Sequence, residues 1–356
     1  IAALRTPARR TTSVSVSLRR GSPLGGGWLA PIVNHLSATA GAGGTNSRTE
    51  FQVAEQGRVN AGVDYAIGGE SPAGTMPGWW TSGLDRLPAW LAGAELIQAL
   101  RNAKPRLQPA AFRVSGTYTA GDESRSNFLT AAGSVRDSAR RVDGRVNAWR
   151  NATSLEVKPF DALTARWELA STRDLVDYGD STPTARAATN ERTALLGVDA
   201  GLERERALTT SYTFAPQLQG WIRPRAEMST SYGHLRDPNA RVLLREGDTT
   251  GALRLPRRVN AAQSMNAAVA FDLAHAADAW AVDSGFLARL VRTLVPVEAS
   301  VSRTLSSSYD GTPRTPGLGL QLGWGGEGAF LGDRGFLATT ASSNTQVALA
   351  SGLRLP

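Results

Sequence analysis

The chain has 356 residues, 41% of them apolar, no cysteine and a formal net charge of +8. Without cysteine there is no disulfide framework, no thiolate chemistry and no cysteine-based metal site. No run of eighteen or more apolar residues occurs, which excludes a transmembrane helix but not a barrel, because alternating strands keep average hydropathy low.

Arginine carries nearly all the positive charge; lysine occurs only at Lys104 and Lys158. The arginines are scattered, with short pairs such as Arg9-Arg10 and Arg257-Arg258. No basic stretch is interleaved with stacking aromatics, so the charge speaks against a nucleic-acid partner. Arginines lining a wet lumen, or meeting lipid phosphates at a rim, account for it better. The chain opens on Ile1 and Ala2 without a signal segment, so the expectation is a mature fragment or a piece of a longer chain.

Along the chain the recurring feature is a period of two, broken by Gly, Pro, Asp, Asn and Ser. Val14, Val16 and Leu18 alternate with Ser13, Ser15 and Ser17. Val59 to Ile67 follows, then Phe112 to Tyr118, Leu163 to Leu169, Leu196 to Leu202, Leu208 to Phe214 and Ala226 to Tyr232. The series continues through Met265 to Leu273, Val297 to Val301, Leu318 to Trp324 and Val347 to Leu355.

These runs predict about fourteen antiparallel strands of a length that suits tilted membrane crossing. The polar partners include Arg, Glu and Asp in mid-strand, as a hydrated lumen allows. The apolar partners often end in Tyr, Trp or Phe, which suits an interfacial girdle. Strands of a soluble sandwich usually run about five or six residues, shorter than these. A β-helix adhesin would show a fixed-period repeat, and none is visible.

Two segments switch to helical spacing: 84–100 (LDRLPAWLAGAELIQAL), with Leu84, Leu87, Leu91 and Leu100, and 276–294, with Trp280, Phe286, Leu287, Leu290 and Leu294. They are expected as short helices inserted between strands of a single barrel region spanning 1–356. Long polar connections run through Thr172–Arg192, Gly233–Arg258 and Gly325–Ser343. They predict a barrel with short turns at one end and long loops at the other.

No catalytic, cofactor or metal residue is singled out. His35, His234 and His275 lie in unrelated contexts, without metalloprotease spacing. No Gly-x-Ser-x-Gly elbow is present. The glycine-rich runs Gly21–Gly27 and Gly323–Gly328 lack the lysine and strand–helix context of a phosphate cradle. Asp177 and Asp180 are the nearest thing to a calcium-binding pair.

Three stretches resemble the SprA family, the outer-membrane translocon barrel of type IX secretion. They are Ala99–Gly116, with a helix end, "RLQP" and then a strand; Trp149–Asp180, where a strand ends at Pro159-Phe160 and the next returns; and Tyr212–Arg241. Together they cover 80 residues, a little over a fifth of the chain. The resemblance implies an all-β transmembrane barrel, of which this is a C-terminal portion, in the bacterial outer membrane. It also implies a passage for secreted protein cargo, and partners in a plug protein and a smaller carrier barrel of the PorV type. It carries no catalytic residue. The competing expectations are an ordinary porin or lipid-transport barrel, and a soluble β-rich adhesin.

Overall fold

The computed structural model describes residues 7–19, 34–68, 109–128, 140–178, 183–195, 198–216, 222–236, 255–273, 296–312, 315–333 and 335–352. Both segments expected to be helical, 84–100 and 276–294, lie outside the described residues, as do the "RLQP" stretch, Asp180 and His275.

Eleven long strands form one sheet: β1 (Ala8–Arg19), β2 (Leu36–Arg48), β3 (Gln52–Gly68), β4 (Ala111–Asn127), β5 (Arg140–Phe160), β6 (Leu163–Asp174), β9 (Leu202–Phe214), β10 (Ile222–Arg236), β11 (Arg257–Phe271), β12 (Val297–Thr312) and β15 (Thr340–Ala350). They pair in chain order, every neighbour antiparallel. Between β6 and β9 lie α1 (Pro183–Asn190) and a small hairpin of β7 (Ala194–Leu195) and β8 (Val198–Asp199). Between β12 and β15 lie α2 (Leu318–Gln321), α3 (Gly326–Leu331), β13 (Gly332–Asp333) and β14 (Phe336–Leu337). Among the described residues the sheet does not close: β1 pairs only with β2, and β15 only with β12.

Because side chains alternate along a strand and directly paired residues share a face, the register sorts every strand residue to one side. Tyr118 pairs with Ala61 and Trp149, and Tyr232 with Leu208 and Ala261. Followed across the sheet, one face collects Tyr65, Phe112, Tyr118, Trp149, Phe160, Trp167, Tyr212, Phe214, Tyr232, Phe271 and Tyr309. These are all the Tyr, Trp and Phe of the eleven long strands. We call this the apolar face. Its apolar band also contains Val14, Val16, Leu18, Val59, Val63, Ile67, Val301, Val347 and Leu349, all largely exposed. The other face carries Ser, Thr, Gly, Asn and ion pairs, and only Val142, Val146 and Leu235 bring an exposed large hydrophobic to it.

The two ends also differ. At the end where β1 begins, here the proximal end, the apolar face turns polar: Arg10, Asn46, Glu55, Asp122, Asp143 and Arg145 stand there. The aromatic-rich half lies toward the distal end, around Tyr65, Phe112, Leu163, Phe214 and Phe271.

Several expectations are corrected. The sheet has eleven long strands in the described residues, where about fourteen are expected along the chain. The run from Leu196 to Leu202 does not form one long strand in its described part: β8 is two residues long, Gly201 turns the chain at φ +69 before β9, and Leu196 and Gly197 lie outside the described residues. Leu318 to Trp324 is no strand either; it contains α2, with Leu320 tucked against the sheet. Strands β2 and β5 join the wall although their alternation is faint, and the turn after Pro159-Phe160 falls at residues 161–162 as expected. Long connections leave from both ends, not one: the chain crosses from β6 to β9, β10 to β11 and β12 to β15 at the proximal end, and from β3 to β4 and β11 to β12 at the distal end.

Candidate functional site

The polar face is the first candidate, since its side chains have no apolar neighbour to serve. Its charges are arranged as cross-strand pairs: Arg225 with Glu298 at 2.5 Å, Arg258 with Asp310 at 2.9 Å and Arg113 with Asp64 at 3.9 Å. Arg166 and Glu168 pair along β6. Exposed pairs of this kind each contribute little, from about zero to 1 kcal/mol, so their role is to keep the surface hydrated rather than to hold the sheet. Between the charges the residues are small. Ser300, Ser302, Ser306 and Ser308 line β12, and Ser306 lies 2.7 Å from Ser342 of β15. A shallow hollow of about 500 Å3 opens on this face of β9 to β15, lined by Thr209, Ser231, Asn260, Ala262, Ser306 and Ser308.

The second candidate is the proximal end of the apolar face. A groove of about 1000 Å3 crosses β1 to β5 there, bordered by Arg10, Glu55, Asp122, Asp143, Arg145 and Tyr178. Asn46 donates to Glu55 at 3.1 Å and Arg145 to Asp122 at 3.3 Å, so charges of both signs are internally matched.

Farther along that end two covers fold back onto the sheet. In the first, Arg192 donates to the carbonyls of Val176 (2.9 Å) and Leu175 (3.3 Å) and pairs with Asp199 at 2.9 Å. That guanidinium, with the Gly201 N–H, holds the Asp199 carboxyl below the ordinary carboxylate range. Tyr178 donates to the buried Asp174 at 2.6 Å, and burial together with that bond pushes its hydroxyl pKa up. Glu191, just after α1, accepts from Arg236 at 2.8 Å, from Arg257 at 3.4 Å and from the Leu255 N–H at 3.0 Å.

The second cover is residues 315–339. Leu320 and Phe330 pack on Tyr232, Val259, Ala261, Leu305 and Tyr309 of the apolar face. Gln263 donates to the Gly323 carbonyl at 2.5 Å, Arg303 pairs with Glu327 at 2.6 Å, and the Tyr309 hydroxyl sits 2.9 Å from the Ala329 carbonyl. The cover turns Leu318, Trp324, Leu331 and Leu337 outward, and Trp324 lies 6.4 Å from Tyr212 of the apolar band.

Gly323 has φ +71, and a Cβ there would run into Thr230. Gly323→Ala therefore combines a left-handed backbone, costing about 1–2 kcal/mol, with a steric clash. The expected result is a loosened cover, read as faster proteolysis within 315–339 with the strands still protected. Unchanged proteolysis would show that the glycine is not what seats it.

Of the histidines, His35 stands edge-on to Tyr65 at 6.4 Å. His234 is buried on β10, 3.9 Å from Glu203, a carboxylate that no local spacing links to it. Neither of its ring nitrogens has a hydrogen-bond partner, and neighbouring Glu203 is instead engaged by Arg206 at 2.9 Å and Ser171 at 3.0 Å. Asp177 borders the groove beside Tyr178. Among the described residues no group of three or more His, Asp or Glu side chains could hold a metal. Gly323–Gly328 forms the bend after α2 and the first half of the six-residue α3 rather than a cradle opening a long helix.

The fold and its surfaces thus define a class: a large antiparallel meander with an aromatic-bearing apolar face and a small-residue polar face. The chain matches no protein-family model and no curated protein.

Proposed function

We propose that this sheet is a sector of wall in a wide outer-membrane β-barrel whose lumen conducts protein. The observation that carries the membrane part is the segregation of every aromatic of the eleven long strands, and of most of their exposed aliphatic residues, to one face. Leaving a Val or Leu side chain wholly in water forfeits roughly 1.5–3 kcal/mol, so the nine aliphatic side chains named on this face, many of them about half exposed, together forfeit an amount comparable to the roughly 5–15 kcal/mol that holds a domain together. The band needs an apolar neighbour, and lipid supplies one wherever the covers do not already lie on it. Opposite it, hydroxyls, glycines and paired charges suit water. The proximal reach of the apolar face, with its ionic groove and two covers, then stands beyond the bilayer.

Two features support a wide channel for protein rather than a narrow pore. Eleven consecutive strands form one sheet without β1 meeting β15, so a barrel that includes them has more than eleven strands, and barrel diameter grows with strand number. The polar face is also lined by small side chains that give a moving polypeptide little to bind. The SprA-like stretches agree with this reading, and a plug protein and a PorV-type carrier barrel are the partners they imply.

Photo-cross-linkers placed in cells at Thr117, Thr209 and Ser302 on the polar face should capture a stalled secreted cargo. The same group at Val63 and Val301 should label lipid. Ion conductance with no cargo captured from any polar-face site would instead favour an ordinary porin.

A further inference from the structure

The two edges of the sheet run the same way. β1 begins at Ala8, opposite Arg48, at the proximal end and finishes distally at Arg19. β15 begins at Thr340, opposite Ser308 in the proximal half of β12, and finishes at Ala350, opposite Glu298 at the distal end of β12. This follows from an odd number of strands in an up-and-down meander. Joining β1 to β15 would therefore create a parallel seam, whereas bacterial outer-membrane barrels of a single chain have an even number of antiparallel strands.

A second copy does not solve the problem. Copies inserted in one membrane orientation are related by an axis along the bilayer normal, and that rotation leaves strand direction unchanged. Every contact between copies, β1 with β1, β15 with β15 or β1 with β15, is again parallel. Leaving the edges bare is costly too, because each unpaired N–H or C=O in hydrocarbon costs several kcal/mol. Both edges are long, 12 and 11 residues, and wholly exposed.

We propose that β1 and β15 are each paired by amphipathic strands from outside the described residues, odd in total number and antiparallel throughout. The inference rests on the membrane-wall reading and adds the partner's chemistry. Val14, Val16 and Leu18 on one edge, and Val347 and Leu349 on the other, lie on the apolar face toward the distal end. The docking strands must place apolar side chains beside them. Against Ser13, Ser15 and Ser17, and against Ser342, Asn344 and Gln346, they must place small or polar ones.

The absence of cysteine allows a direct test. In native membranes, Val14→Cys with Ala42→Cys, partners across β1 and β2, reports that the sheet is formed. Val14→Cys or Val16→Cys is then combined with Thr345→Cys or Val347→Cys under mild oxidation, and backbone hydrogen exchange is followed on β1 and β15. The expected result is a disulfide in the control pair only, with edge amides protected as well as those of β2 and β12. A disulfide joining β1 to β15, within one chain or between copies, would overturn the proposal by showing a parallel seam. Edge amides that exchange freely while the control pair forms would overturn it by showing bare edges. Release of the protein into detergent-free buffer would instead defeat the membrane reading beneath it.

Discussion

If the sheet is membrane wall as proposed, Val63→Arg should weaken it by roughly 2–4 kcal/mol, while Asn60→Arg, three residues away on the other face, should change it little. Val63 sits in the middle of the apolar run of β3, flanked laterally by Ala38 and Gly116. Neither neighbour is large enough to shield a guanidinium from lipid. Asn60 points to the side where Arg58, Arg113 and Asp64 already meet water. Trp167→Arg should be at least as harmful. It adds the loss of an indole N–H donated to the Tyr212 hydroxyl at 3.0 Å and of an edge-on ring contact at 5.8 Å. Val269→Arg, only two residues from Phe271 at the distal end of β11, should fall at the lower end of the range, since the penalty shrinks toward the interface. Thr164→Arg and Asn266→Arg are the matching polar-face controls. Guanidinium midpoints of the wall in membranes measure the difference, and equal tolerance on both faces would end the membrane reading.

Where the two faces contrast in size and polarity, the period of two reads the fold directly: β1, β3, β4, β6, β10, β11 and β12 stand where the alternation put them. It failed where physics removes the contrast. In β2 the apolar face is Ala38, Ala40, Ala42 and Gly44, against Thr39, Gly41, Gly43 and Thr45, so alternation exists without a hydropathy signal. In β5 the proximal half places Val142 and Val146 on the polar face and Asp143 and Arg145 on the apolar one, inverting the pattern beside the ionic groove. Leu318 to Trp324 alternates as a strand would, but Gly323 at φ +71 and the packing of Leu320 on the sheet turn it into a helix and a tight bend. The polar face was legible because it is local to each strand. The proximal covers were not, since the ties of Glu191 to Arg236 and Arg257 cross 45 to 66 residues of chain.

Those ties predict the second large effect. Glu191 is the one carboxylate shown pairing with both Arg236 and Arg257, whose side chains are 8% and 11% exposed. The Nε atoms of both arginines are already buried without a partner. Glu191→Ala would leave two guanidiniums and the Leu255 N–H facing one another with no acceptor from this carboxylate. Breaking a buried ion pair from one side costs about 3–5 kcal/mol. The loss should not stay local, because Arg257 also donates to Thr315 at 2.7 Å, where the second cover begins. The expected result is early exchange and proteolysis of both 183–195 and 315–339, with β1 to β5 unaffected. Glu191→Gln, which can still accept from Leu255 but carries no charge, should fall between. Replacing Glu191, Arg236 and Arg257 together by Leu, Met and Leu should restore most of the protection, since an apolar substitute for a buried ion cluster is often neutral or stabilising. If Glu191→Ala leaves both covers as protected as in the unaltered protein, the carboxylate does not hold them down, and the apolar contacts of Leu202 with Ala187 and of Phe330 with Tyr309 carry them instead.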